Sequence, residues 1–410
     1  MVTDTTTKKG SKQTKWGVIP EDWSIEKLPT VCWFQEGPGL RNWQFTNSGI
    51  KVINVTNLEN GYLNLERTSR YISLEEFERM YQHFEVDDKD IVVASSGNSY
   101  AKVAVVRKQD LPLVMNTSVI RFKPLKNLDY SFLLTFLKSN YFKDQIDLLI
   151  TGGAQPNFGP AHLKQINIIT PSNKSEQTAI ATILSDTDAL IECLEELIVK
   201  KKAIKKGAMQ QLLTGKKRLP GFNGEWEIKS LEEIIVCLDN LRVPLNDEQR
   251  SKIKGDYPYC GANGVLDYVN DYVIDDDIIL IAEDGGYFDE YAYRPIAYRM
   301  YGKSWVNNHA HILKAKDHID QNFIYYSLVH KNILSFLASG TRAKLNKSEM
   351  YKIEINIPKE KSEQTAITTV LSDVDIEIES LEQKRGKYTM LKQGMMQQLL
   401  TGKIRIYGNN

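Results

Sequence analysis

The octapeptide MQQLLTGK stands at Met209–Lys216 and again, letter for letter, at Met396–Lys403. Each copy closes a longer phrase. Ser175–Lys216 reads SEQTAIATILSDTDALIECLEELIVKKKAIKKGAMQQLLTGK, and Ser362–Lys403 reads SEQTAITTVLSDVDIEIESLEQKRGKYTMLKQGMMQQLLTGK. Aligned without gaps, about 26 of the 42 positions agree. Shared composition does not produce that agreement, so the stretch is an internal duplication at an offset of 187.

Both copies read as long helices. A proline lies just upstream of each (Pro171, Pro358), and Gly215 and Gly402 stand as C-terminal stops. Ile180, Leu184, Ile191, Leu194 and Ile198 step by 4, 7, 3 and 4, the spacing of a coiled-coil seam, and Ile367, Leu371, Ile378 and Leu381 repeat it. A helix of about 39 residues would be about 58 Å long, and at that length the seam needs a partner. A single helix of this kind would be read as core packing. Two near copies point to helices that pair with each other. Lys200–Lys202 with Lys205 and Lys206 read as a solvated basic face.

Working outward, Trp23–Leu28 (WSIEKL) matches Trp226–Leu231 (WEIKSL), so each half opens on the same strand pattern. Each half closes on a strand running into proline, Gln165–Pro171 and Ile353–Pro358. Between them the halves share only strand signals, such as Asp90–Ala94 (DIVVA) opposite Asp277–Ile281 (DIILI). The expected architecture is α+β: two α/β domains joined by two long helices in an antiparallel intramolecular coiled coil, with pseudo-two-fold symmetry. The expected boundaries are 1–15 tail, 16–171 first domain, 172–217 central helix, 218–358 second domain, and 359–410 distal helix with C-terminal tail.

Composition sets wide bounds. Lys+Arg and Asp+Glu both number 52 in 410 residues, so binding to a polyanion would rest on local basic surface. Cys32, Cys193, Cys237 and Cys260 show no CxxC spacing and read as reduced thiols. The polar N-terminal stretch has no signal-peptide core, and no apolar run reaches the roughly 18–20 residues of a membrane span. A soluble cytoplasmic protein, without membrane association, is expected.

Two divergent domains carried by matched helices suit the reading of two different things at a fixed spacing, for which duplex DNA is a natural ligand. The arrangement resembles the specificity subunit of type I restriction–modification systems. The resemblance runs over residues 16–403 and is carried by the paired helices ending in QQLLTGK, by Gly17–Trp23 (GVIPEDW) and by Gly152–Phe158 (GGAQPNF). In the second half it is carried by Tyr259–Gly286 and by Gly302–Leu313 (GKSWVNNHAHIL). It implies a non-catalytic chain with two target-recognition domains, each reading one half of a bipartite asymmetric duplex target. It further implies partnership with two adenine methyltransferase subunits, with or without two ATP-dependent restriction subunits. S-adenosylmethionine, ATP and Mg would then be used by those partners, with no cofactor in this chain. The helix length would set the spacer, with half-site centres about 34–36 Å apart.

Motifs for catalysis are missing from the sequence: no GxxxxGK[ST], no GxGxxG after a strand, no HExxH, and no Asn/Asp-Pro-Pro-aromatic motif. Asp275–Asp277 with Glu283 and Asp284 lack the lysine spacing of a metal-dependent nuclease. His309 and His311 share one side of a strand, as metal ligands can, but no third ligand accompanies them, so no metal site is assigned. A scaffold that joins two protein-binding domains without touching nucleic acid remains the alternative reading.

Glycine-flanked loops bearing amide, basic or tyrosyl side chains are the best candidates for DNA contact. In the first domain these are Arg41, Trp43, Asn98, Tyr100, Lys102, Gln155 and Asn157. In the second they are Tyr259, Asn263, Tyr287, Lys303, Arg342, Lys344 and Asn346. Trp43 and Tyr100 fit a core equally well. The loops at 151–157 and 339–346 hold equivalent places ahead of the strands that lead into the long helices, and phosphate positioning is expected of them.

Overall fold

The computed structural model describes residues 10–150, 156–338 and 343–406. The chain forms two compact units, Met1–Leu194 with Lys384–Asn410, and Glu195–Gln383. Each unit therefore combines one globular domain with the start of one long helix and the end of the other. The long helices run Lys174–Leu212 and Lys361–Leu399, each of 39 residues. None of the helices among the described residues is long and apolar enough to cross a membrane.

Both domains are built on the same four-stranded antiparallel sheet. In the first unit the order is Val103–Val105, Ile91–Ala94, Val119–Pro124, Cys32–Glu36; in the second it is Ala297–Met300, Ile278–Ala282, Ala310–Ala315, Ile235–Cys237. The runs Ile91–Ala94 and Ile278–Ala282 are central strands and buried throughout, which is why they read as unbroken apolar stretches. The opening strands Trp23–Lys27 and Trp226–Ser230 pair antiparallel with Asn167–Pro171 and Glu354–Pro358, with each tryptophan opposite a proline. The domains differ in their second sheet. It has three strands around Ile50–Ile53 in the first unit and four around Lys254–Gly261 in the second.

The duplicated phrase is a socket. In the second unit, buried Glu363 is held by Arg218, with Nε to Oε1 at 2.5 Å and Nη2 to Oε2 at 2.6 Å. In the first unit, buried Glu176 is held by Arg405 at 3.0 and 2.6 Å, and Arg405 also grips Asp22. The next residue, Gln177 or Gln364, is buried and stitches backbone together. Gln177 accepts from Asp129 N (2.7 Å) and donates to Pro171 O (2.8 Å); Gln364 does the same with Asp320 and Pro358, both at 2.8 Å. At the other end of the phrase, Gly215 and Gly402 take φ of +71° and +69° as helix C-terminal stops. A Cβ on Gly402 would meet Pro20 at 2.4 Å, and one on Gly215 would meet Trp226 at 3.2 Å. SEQ and LLTG thus repeat because each unit brings the start of one helix to the end of the other.

Pairing of the helices is antiparallel within each unit. In the second, Lys202 meets Glu382 (2.6 Å) and Lys205 meets Asp375 (2.5 Å), the later residue on one helix facing the earlier on the other. In the first, Lys392 meets Asp188. The lysines read as a solvated face are thus partly engaged across the pair, each such contact contributing about 0–1 kcal/mol. Of the seam, Ile180, Leu184, Leu194, Ile198, Ile367, Leu371 and Ile378 are buried, while Ile191 and Leu381 are half-buried. The outer seam residues do more than pair helices. Ile180 and Leu184 share a core with Trp23, Phe132 and Leu399, and Ile367 and Leu371 share one with Phe323, Ile357 and Leu212.

Candidate nucleic-acid interface

Strand register brings several loops to one end of each four-stranded sheet. In the first domain Val119 lies opposite Ala94 and Ile120 opposite Glu36, so the chain after Glu36, after Ala94 and before Val119 emerges together. The segment at 156–158 closes onto the same end. Phe158 N donates to Ser95 O (2.9 Å), Gly97 N donates to Pro156 O (3.0 Å), and Ser96 bridges Asn157. In the second domain Ala310 lies opposite Ala282, Leu345 N donates to Glu283 O (2.7 Å), and Asp284 bridges Lys344. The two domains present equivalent loop clusters built from different residues.

In the first cluster Asn98, Lys102 and Asn157 are exposed on adjoining loops. Tyr100 is half-buried against the core, donating to Asp147 (2.5 Å) with Lys143 Nζ at 2.6 Å from its oxygen. Trp43 is 81% exposed and is no core residue. It rides on the short turn Asn42–Gln44, which is pinned by buried Gln44: its side chain donates to Tyr81 (2.9 Å) and Glu76 and accepts from Arg41 N (2.8 Å). Arg41 is exposed on the same turn. Gln155 and Arg342 lie outside the described residues.

In the second cluster Asn263 donates to Gly285 O (2.9 Å), joining the hairpin at 261–264 to the 283–287 loop. Tyr287 is half-buried beneath the Arg294 guanidinium, 3.1 Å from its ring centroid. Lys344 is exposed and pairs with Glu283 at 2.9 Å; Asn346 is exposed just ahead of the short helix Lys347–Tyr351 and makes no side-chain capping bond to it. Lys303 is exposed but stands on the second sheet, the one around Lys254–Gly261, 4.5 Å from the Tyr272 ring and 5.8 Å from that of Tyr257. Tyr259 is the correction. It is 1% exposed, with its hydroxyl bonded to Leu245 N (2.8 Å), and offers no surface to a duplex.

Beneath the second cluster lies a charged group that the sequence reading missed. Arg242 pairs with Glu283 and, at 3.3 Å, with Asp239; Asp239 accepts from His311 (2.7 Å) and from Ile312 N (3.0 Å). Burial opposes the charge on Glu283, but Arg242, Lys344 and His311 outweigh it and hold its pKa below the usual carboxylate value. The acids once weighed as a nuclease cluster are dispersed: Asp276 pairs with Lys314, Asp284 with His309 (2.6 Å), and Glu283 with Arg242. Cys237, Asp239 and His311 place ligand atoms within 4.8 Å of one another, but two of the three are engaged in this ion-pair network. Arg242 and Asp239, spaced i, i+3 after a strand, were the available signal, unreadable without knowing that His311 faced them.

A sequence profile described as the type I restriction modification DNA specificity domain matches residues 20–201 and again 223–387. The chain belongs to this specificity family. Similar proteins include one of Haemophilus influenzae named as a type I restriction enzyme specificity subunit, 38% identical over 156 residues, 38% of each chain. Another is the MjaVIII specificity subunit of Methanocaldococcus jannaschii, 31% identical over 219 residues, 52% of this chain and 51% of that one. The chain thus spans about half or less of the length of these relatives. Among solved structures, a type I restriction–modification S subunit from M. genitalium has a TM-score of 0.60 at 19% identity, covering 92% of this chain and 96% of that one. That likeness concerns the fold. The double profile match covers both units, in keeping with the duplicated architecture that the specificity-family reading anticipates.

Proposed function

We propose that this chain is the DNA-reading component of a type I restriction–modification complex, one domain reading each half of a bipartite, asymmetric target. The observation that carries the reading is the pair of loop clusters, equivalent in place and different in side chains, in two domains that each match the specificity profile. Exposed Asn98, Lys102 and Asn157 in one cluster, and Asn263, Lys344 and Asn346 in the other, are of the types that contact base edges and phosphates. The chain recruits two adenine methyltransferase subunits in the cytoplasm, and ATP-dependent restriction subunits where the system includes them. Those partners carry the chemistry and use S-adenosylmethionine, ATP and Mg; this chain is no enzyme.

The test is binding of the assembled complex to duplex DNA at rising salt. For about 6–10 phosphate contacts, affinity falls about 10³–10⁵-fold between about 50 and 200 mM. A protein scaffold, the reading that the balanced charge of 52 against 52 favours, would show no duplex affinity to lose.

A further inference from the structure

We infer that His311 is a positioning residue for half-site reading by the second domain, holding the backbone of the segment that carries Lys344 and Asn346. The inference rests on the DNA-reading role proposed above. His311 is 1% exposed on the strand Ala310–Ala315. Its Nδ1 lies 2.7 Å from an Asp239 carboxylate oxygen, and its Nε2 lies 2.8 Å from the Leu345 carbonyl oxygen. A carbonyl accepts only, and an ionised carboxylate accepts only, so both ring nitrogens donate and the ring is an imidazolium. It is a buried strut between the turn at Asp239 and the backbone between Lys344 and Asn346.

Every group that faces the ring bears on its charge. Asp239 and Arg242 come from one turn, Cys237 from the strand before it, and Glu283, 3.7 Å from Nδ1, from the end of the central strand. Lys344 pairs with that same Glu283, and Lys347 lies within the field of Cys237 and Asp239. Burial alone would strip the proton from the ring. The Asp239 carboxylate, the Cys237 thiol and the Leu345 carbonyl outweigh burial and push the pKa up to about 9. The folded value is raised above the unfolded one, so the strut is intact at neutral pH and is lost as pH rises through about 9. Deprotonation leaves one of its two acceptors without a proton and frees the neighbouring backbone, with Lys344 on it.

The device belongs to one domain only. Register places His311 opposite Ile281, and Ile120 opposite Val93, at the matching position of the first domain. Isoleucine can make neither bond. A change at His311 should therefore be felt at one half-site, which a general loss of folding would not achieve.

The experiment uses the complex assembled with its methyltransferase subunits, on the target defined by its own methylation pattern. Methylation rates are compared for the intact target and for duplexes substituted once in either half-site, from pH 7 to pH 10. His311→Gln is expected to lower discrimination about tenfold at one half-site, the cost of about one mismatch, and to leave the other unchanged. The wild type is expected to show the same one-sided relaxation as pH rises through about 9, and His311→Gln no such inflection. Asp239→Asn keeps the ring but removes its counter-charge, so its inflection should move to lower pH, which preserves the test if His311→Gln fails to fold. Equal losses at both half-sites, or a wild-type pH profile in His311→Gln, would overturn the inference. A wild-type complex that methylates all duplexes alike at neutral pH would instead refute the DNA-reading role itself.

Discussion

Replacing Arg218 with alanine is expected to destabilise the second unit by about 3–5 kcal/mol, because it strands a carboxylate that the fold has already taken out of water. Glu363 is 1% exposed, and both its oxygens are held by the Arg218 guanidinium. Each kcal/mol shifts a melting midpoint by about 2–4 °C for a domain of about 150–250 residues, so thermal melting of the purified chain measures the loss. A double variant separates this from ordinary loss of a surface contact: adding Glu363→Gln should return part of the stability, since the buried charge is gone. Arg405→Ala should act in the same way on the first unit through Glu176. A melting midpoint unmoved by Arg218→Ala would mean that Glu363 is not buried as described.

The second large effect concerns the seam. Leu371→Ala and Leu184→Ala are each expected to cost about 2–5 kcal/mol, as deletions of fully buried leucine do. Both side chains are buried within their own unit's core, Leu371 beside the Phe323 cluster and Leu184 beside the Phe132 cluster. Ile376→Ala, on the same helix as Leu371 but 65% exposed, should change stability by no more than about 0.5 kcal/mol. Urea midpoints of the three variants check the contrast. If Leu371→Ala and Ile376→Ala cost the same, the helix face assigned to the core is wrong.

Much of this fold was legible because the gene repeats itself. The helices, their glycine stops, the opening tryptophan strands and the closing proline strands all followed from two copies compared with each other. What the comparison hid was the partner of each repeated residue. The repeat marks Glu176 and Glu363 as matched positions but not as buried ones, and their arginines lie two residues beyond the aligned phrase, at 218 and 405. Nothing in a linear reading pairs Glu363 with a residue 145 positions earlier. The site was less legible for a different reason. Loop residues are chosen for surface chemistry and carry no periodicity, so exposed Asn98 and buried Tyr259 look equally eligible until burial is known. Trp43, which fits a DNA contact or a core equally well by sequence, is exposed on a turn fixed by the hydrogen bonds of its neighbour Gln44. The His311 network depends on four separate segments meeting at one sheet end, and register alone reveals it.

The measurement that tests the central claim most directly is a map of methylated adenines in cells co-expressing this chain with its methyltransferase subunit. The account predicts a split motif: two unlike half-sites at a fixed spacing, one for each domain. An assembled, active complex that places no new methylation, or that methylates one continuous motif, would contradict it.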